Sequence, residues 1–245
     1  MSRIAIVSAM HEELRALLPL LDANHVERRA GRDFHIGSID GHAVVLVLSG
    51  IGKVAAATTA AVLLDGLEVR ALLLTGVAGG LGAGVRVGDV VVAHNLLQHD
   101  MDASPLFPRY EVPLTGRSRF PADRALGAAL SAGCRGVLQA PHPALASFGI
   151  ATPRLHEGLV ISGDRFVATA VESEALRAAL PEALAVEMEG AAVAQVCADF
   201  GRPFGMVRTI SDRADDAAHV DFARFIAEVA AEFSRDIVRA ALAQL

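Results

Sequence analysis

The chain has 245 residues, 53% of them hydrophobic and 20% charged, and its 22 basic and 28 acidic residues leave a net charge of −6. Such a length and composition fit one large globular domain over residues 1–245 and argue against disorder. No basic run or arginine-rich face stands out, which argues against nucleic acid as the main partner.

Mean hydropathy is positive, so membrane insertion has to be weighed. The longest stretch without a formal charge, Gly136 to Pro153, contains three prolines, a histidine, a glutamine and a serine, and does not read as a spanning helix. The opening "MSRIAIVSAMHEEL" reaches His11 and two glutamates too soon for a signal peptide. Cys134 and Cys197 form neither a metal-ligand pattern nor a disulfide framework. The expectation is a cytoplasmic protein with no cofactor and no membrane partner.

In chain order, "RIAIVS" (3–8) reads as a buried strand, and leucines at 14, 17, 18 and 21 form a helical stripe over 11–21. "FHIGSIDGHAVVLVLSG" (34–50) predicts a hairpin turning at Asp40-Gly41, followed by the glycine-flanked "SGIGK" and a helix through Ala55–Leu64. "ALLLTGVAGGLG" (71–82) reads as a buried strand ending in a glycine-rich turn, and 87–97 as another strand. Residues 122–132 look helical. Two further strands, 158–164 and 204–212, each end in a serine and an acid. Phe222, Phe225, Ile226, Val229, Phe233 and Ile237 then predict a long amphipathic helix over 221–242. Alternating strands and helices imply a three-layer α/β/α sandwich, and the early hairpin makes the central sheet mixed. The stretches 98–121 and 134–157 read as the least regular, and long loops in a compact domain are commonly functional or mobile.

Four strands end in unusual punctuation: "SAMHEE", "TGVAGG", "SGDRF" and "RTISD". Ligand crevices in open α/β sheets form beyond the carboxyl ends of strands. A further anomaly is "LAVEMEGAAVAQVC", which puts Glu187 and Glu189 inside an apolar run. Burying a carboxylate costs several kcal/mol unless something charged or hydrogen-bonding meets it. Either the two acids serve a ligand, or they cap the helix that follows.

Taken together, "AMHEE" (9–13), "SGIGKVAAA" (49–57), "TGVAGGL" (75–81), "VGDVVV" (87–92), "GLVISGDRF" (158–166), "VEMEG" (186–190), "VRTISDRAD" (207–215) and "HVDF" (219–222) follow one family's order over most of the chain. They resemble the purine nucleoside phosphorylase/hydrolase superfamily, in its 5′-methylthioadenosine/S-adenosylhomocysteine nucleosidase branch. The resemblance implies a nucleoside phosphorylase-like fold and hydrolysis of the N-glycosidic bond of 5′-substituted adenosines to adenine and the sugar. It casts Asp212 as the general acid that protonates the leaving base, oriented by Ser211, a role typically worth ~10²–10⁴ in rate. Glu13 becomes the carboxylate that activates water, in the manner of an inverting glycosidase. Met188 would pack on the ribose and Glu189 accept its hydroxyls, while Arg208 approaches the ribose or the neighbouring acids. Phe166 and Val167 would hold the adenine, and Phe222 would cover the ribose. Phe107 would cross a homodimer to the neighbour's 5′ pocket. Each of these apolar residues also has an ordinary core reading, and Asp212 could instead be a turn or N-cap aspartate.

Val77 stands where this branch usually has a serine or threonine, and the stretches 101–110 and after Cys134 are longer than the family pattern. These departures bear on the 5′-substituent more than on the bond broken. A phosphate-dependent phosphorylase is the rival reading; it would want arginines near the glycine turns, where this chain has Leu74-Thr75 and only Arg15. A nucleoside-binding protein without turnover, and a nucleosidase for another purine-containing metabolite, are the others.

Overall fold

The computed structural model describes residues 2–214 and 222–245. It opens on β1 (Arg3–Ser8), buried from Ile4 onward, and α1 (His11–Leu17). The predicted helical stripe ends earlier than Leu21, because Pro19 tightens residues Leu18–Leu20 into a 3₁₀ turn. The hairpin is present as β3 (Arg32–Ile39) and β4 (His42–Leu48). Asp40 and Gly41 both have positive φ, 48° and 86°, as a two-residue primed turn requires. Sequence periodicity gave no sign of β2 (Asp22–Arg29). It is an exposed, polar edge strand paired to β3, so no apolar alternation marks it.

After α2 (Lys53–Gly66) come β5 (Val69–Thr75) and β6 (Val77–Gly80). The expected glycine-rich turn is therefore a short strand. Gly79 and Gly80 pair with Val186 and Ala185 on one side, and Ile210 and Asp212 flank them on the other; only residues without side-chain bulk fit between these neighbours. Next are β7 (Val90–Gln98), the short β8 (Phe120–Pro121) and α3 (Arg124–Gln139). Asp123 caps α3 by accepting the N–H groups of Ala125 and Leu126. Part of the stretch read as irregular is thus helical: α3 continues to Gln139, and α4 (Pro143–Ser147) follows.

The remaining elements are β9 (Leu155–Ser162), α5 (Ala170–Ala179), β10 (Ala183–Glu187), α6 (Gly190–Asp199) and β11 (Phe204–Asp212). The C-terminal helix is described from Phe222 as α7 (Phe222–Phe225), a π turn at Ile226–Ala230 and α8 (Ala231–Leu242). Residues 219–221 of the "HVDF" motif lie outside the described residues.

Strand β11 organises the mixed sheet. It runs parallel to β5 at Phe204–Met206, antiparallel to β7 at Val207–Thr209, and parallel to β6 from Thr209 to Asp212. On one side lies the open run β2-β3-β4-β1-β5. On the other, β11-β6-β10-β9-β7 close back on β11 in a ring of five strands. All nine residues of β11 are buried, including the polar Arg208, Ser211 and Asp212. One apolar cluster joins α2 and α6 to the sheet, and a second joins α1, α3 and the C-terminal helix to its other face. That is the expected α/β/α layering.

Helices α3 and α8 pack closely at Gly133. A Cβ there would stand 2.9 Å from the Ile237 carbonyl oxygen and 3.2 Å from the Ala241 nitrogen, both backbone atoms that no rotamer change can move. Gly133→Ala should cost about 1–3 kcal/mol and lower Tm by ~2–10 °C in thermal denaturation. An unchanged Tm would show that the two helices separate without penalty.

Candidate active site

Beyond the carboxyl ends of β1, β5, β10 and β11 lies a solvent-open cleft. Ten of the eleven sequence-derived site residues line it: Glu13, Val77, Phe166, Val167, Met188, Glu189, Arg208, Ser211, Asp212 and Phe222. Phe107 does not. It lies half-buried in the 98–121 stretch of the same chain. Met10 and Ile51 also line the cleft; apolar residues in loops carry no sequence mark of their own, although both fall inside the quoted motifs.

The buried anchor is Arg208, 1% exposed. Its Nη1 donates to the Thr75 carbonyl at 3.0 Å. Its Nη2 donates to Glu187, and to Glu189 Oε2 at 3.2 Å. The guanidinium passes against Gly76, and a Cβ at that position would run into Arg208 Nη1 and both oxygens of Glu13. With φ at +147° as well, Gly76 holds a place no side chain fits. Burial by itself would lower the arginine pKa, but Glu187, Glu189 and Glu13 outweigh it and raise the value.

The two acids of "VEMEG" divide their work. Glu187, the last residue of β10, accepts the N–H groups of Glu189 (3.1 Å) and Gly190 (3.0 and 2.9 Å), together with the Ser162 hydroxyl. Ser162 Oγ in turn accepts the Ala191 N–H at 2.8 Å. The orphan donors of α6 are thereby satisfied from β9 and β10, so helix capping describes Glu187. Glu189 makes no side-chain cap. Its carboxylate instead accepts the Gly52 N–H at 2.9 Å and turns into the cleft.

Glu13, the third residue of α1, reaches back so that Oε2 accepts the N–H groups of Ala9 (3.2 Å) and Met10 (3.1 Å). Its Oε1 is buried and makes no hydrogen bond of normal geometry, although the Val77 N–H still acts on the carboxyl. Burial pushes the Glu13 carboxyl up to about 7, against the lowering pull of Arg208 and of the Met10, Ala9 and Val77 N–H groups. Glu189 is also raised to about 7, by burial and then by Glu187, with Arg208 and Gly52 opposing. Burial outweighs the pull of the one nearby cation, so Glu13 and Glu189 hold on to their protons to higher pH than an exposed glutamate.

Asp212 closes β11. Its Oδ2 accepts the Ser211 hydroxyl at 2.8 Å and its Oδ1 the Ala214 N–H at 2.7 Å. Asp212 and Glu13 both face the cleft. The outer wall is aromatic: Phe166, 41% exposed, meets Phe222 edge-on at 5.9 Å between centroids. Val167 is buried beneath them. The constellation provides two separate carboxyl groups, an acceptor fit for hydroxyls, and a flat apolar slot.

A family model described as "Phosphorylase superfamily" matches residues 3–243, and the chain belongs to that superfamily. It is 37% identical over 246 residues to a 5′-methylthioadenosine/S-adenosylhomocysteine nucleosidase of Chromohalobacter salexigens, covering 100% of this chain and 98% of the relative. It also superimposes on a nucleosidase of the same name from Colwellia psychrerythraea 34H in complex with adenine, with a TM-score of 0.90 and 34% identity over 100% of this chain and 96% of that one. Within the superfamily it therefore falls in the 5′-methylthioadenosine/S-adenosylhomocysteine nucleosidase branch. The futalosine hydrolase of Helicobacter pylori strain 26695 is similar too, with a TM-score of 0.84 and 31% identity over 100% and 98% of the two chains.

The raised carboxyls link stability to pH. A group whose folded pKa lies above its unfolded value contributes stability below the unfolded value and loses it as pH rises through the folded one. For Glu13 and Glu189 that window runs from 4.5 to about 7. Glu13→Gln removes one of the two contributions, so its Tm should gain on wild type as pH rises from ~5 to ~8. A difference constant across that range in thermal melts would show that Glu13 does not titrate there.

Proposed function

We propose that the protein hydrolyses the N-glycosidic bond of 5′-substituted adenosines, such as 5′-methylthioadenosine or S-adenosylhomocysteine, releasing adenine and the free sugar. Asp212 is the general acid. Excess charge builds on the base as the bond breaks, and a proton delivered to the imidazole ring makes adenine a better leaving group. Ser211, bonded to Asp212 Oδ2, sets the direction of that proton. Glu13 takes the proton of the attacking water. Glu189, once ionised, accepts the ribose hydroxyls, which suits a carboxylate with several lone pairs and no donor, and Met188 and Phe222 enclose the sugar. Phe166 and Val167 hold the base.

The observation that carries this reading is the state of Glu13, a cleft-lining carboxyl with one oxygen pinned by two backbone N–H groups and the other buried with no hydrogen bond of normal geometry. A water-activating base needs a free oxygen on a fixed carboxylate. A phosphate dianion, in contrast, would meet Glu13, Glu187 and Glu189 beside a guanidinium already bonded to two of them. Among the described residues, the other arginine lining the cleft is Arg165, which is exposed and paired with Glu172. This electrostatic balance favours neutral water over phosphate. A related nucleosidase chemistry on another purine-containing metabolite is the second reading. The likeness to a futalosine hydrolase supports it, and so does Val77, which faces the cleft with an apolar side chain.

The same reading makes the chain one catalytic domain and the working enzyme a homodimer. Phe107, outside its own chain's cleft, would serve the partner's 5′ pocket. The adjacent Leu106 is 84% exposed, as an interface residue would be before assembly. Two buried, free cysteines suit the reducing cytoplasm. Among the described residues no helix is long and apolar enough to cross a membrane.

In phosphate-free buffer, wild-type protein should release adenine from 5′-methylthioadenosine, and restored phosphate should yield no sugar 1-phosphate. Asp212→Asn should slow that release by at least ~10²-fold while still binding an adenosine analogue. A strict phosphate requirement, or a near wild-type rate for the variant, would overturn the assignment. In sedimentation at micromolar concentration the active species should be a dimer; a fully active monomer would remove Phe107 from the site.

A further inference from the structure

The cleft's two apolar lips come from loops far apart in sequence. Ile51 lies in the loop between β4 and α2, and Phe166 in the loop after β9; both line the cleft, yet they are 60% and 41% exposed. Little core packing holds either lip in place. Among the described residues, the ammonium group of Lys53, on a partly buried side chain, joins them. Lys53 Nζ, on a side chain only 15% exposed, donates to Asp100 Oδ1 at 2.6 Å and to Gln98 Oε1 at 3.2 Å, and lies 4.0 Å from Asp164 Oδ2. The Lys53 backbone N–H donates to Asp164 Oδ1 at 2.7 Å. The Asp164 N–H donates to Asp100 Oδ2 at 2.9 Å. Three loops, those following β4, β7 and β9, are tied in one knot.

The knot adjoins the site on both sides. Gly52, one residue before Lys53, donates its N–H to Glu189 Oε1 at 2.9 Å. Asp164 stands two residues before Phe166 and three before Val167. Moving Lys53 therefore moves a donor to Glu189 and frees the segment that carries the base-holding residues. Neither Lys53, Asp100 nor Asp164 lines the cleft, so none of them touches a bound nucleoside there.

We propose that Lys53 is a positioning residue: clamped to Asp100 and Asp164, it sets the gap between the Ile51 and Phe166 lips and so tunes nucleoside affinity. The inference rests on the nucleoside reading of the cleft. A lip grips base and sugar equally before and during bond cleavage, which is uniform binding. Its loss raises KM and leaves kcat nearly unchanged. The clamp acts by preorganisation, which spares the ligand the cost of ordering the loops. Its carboxylates are partly exposed, at 31% and 49% of their side chains, so added salt weakens it.

The test measures adenine release from 5′-methylthioadenosine by wild type, Lys53→Met, Lys53→Arg and Asp100→Asn. Absence of release by wild type would sink the nucleosidase reading itself, separately from the clamp. Given wild-type release, Lys53→Met and Asp100→Asn should each raise KM about tenfold with kcat within about threefold, and Lys53→Arg should recover most of the loss. Wild-type KM should also rise between ~0.05 and ~1 M KCl, while that of Lys53→Met stays flat. Unchanged KM in both charge-removing variants would overturn the proposal. So would a fall in kcat matched by a lower Tm and a salt response identical to wild type, which marks a merely structural lysine.

Discussion

A lone guanidinium holds this site together. Arg208 points from the middle of a fully buried strand into a space shared by Glu187, Glu189 and Glu13. Removing one member of such a set leaves an uncompensated charge in a poorly polarisable interior, usually a loss of several kcal/mol. With all three carboxylates ionised around one cation, the group would carry a net negative charge. Burial, reinforced at Glu189 by the charge of Glu187, is the reason two of the acids keep their protons to nearly neutral pH. A stabilising core would have used apolar residues here. Carboxyl groups shifted in this way cluster at functional sites.

The fold supplies the assembly by letting one strand have three neighbours. β11 borders β5, β7 and β6 in turn, so Arg208 and Asp212 leave the same rigid ribbon at different depths. Thr75 and Gly76, where β5 gives way to β6, provide the carbonyl and the empty space the guanidinium needs. Glu13 arrives from α1 and Glu189 from the start of α6. Glu187 spends its oxygens on α6 and on Arg208, whereas Glu189 bonds Gly52 and Arg208 and lines the cleft.

Much of this was visible in the sequence. Acids at strand ends, and glutamates in an alanine-valine run, are costly placements that stand out against a hydrophobic background. Those placements drew attention to the motifs, the family resemblance named eleven residues within them, and ten of the eleven share one cleft. What sequence reading missed follows from weak local signals. β2 exposes both faces, so its polar side chains show no period. β6 is built from glycines because its neighbours leave no room, and glycines read as a turn. The different tasks of Glu187 and Glu189 depend on Ser162 and Gly52, residues brought close only by folding. The Lys53 knot was hidden for the same reason: its members lie 47 and 64 positions apart along the chain.

The closed ring of β11, β6, β10, β9 and β7 also bears on how such a protein can diversify. A strand within a ring cannot slip by a residue without forcing its neighbours to slip too, and a one-residue slip reverses every side chain. Arg208, Asp212 and Glu187 are therefore held by geometry that tolerates almost no insertion or deletion. The connecting stretches 98–121 and 163–169 lie outside that closure and can lengthen or shorten at little cost. The lips of the cleft can therefore change length at little cost, whereas Arg208, Asp212 and Glu187 cannot shift without the whole ring.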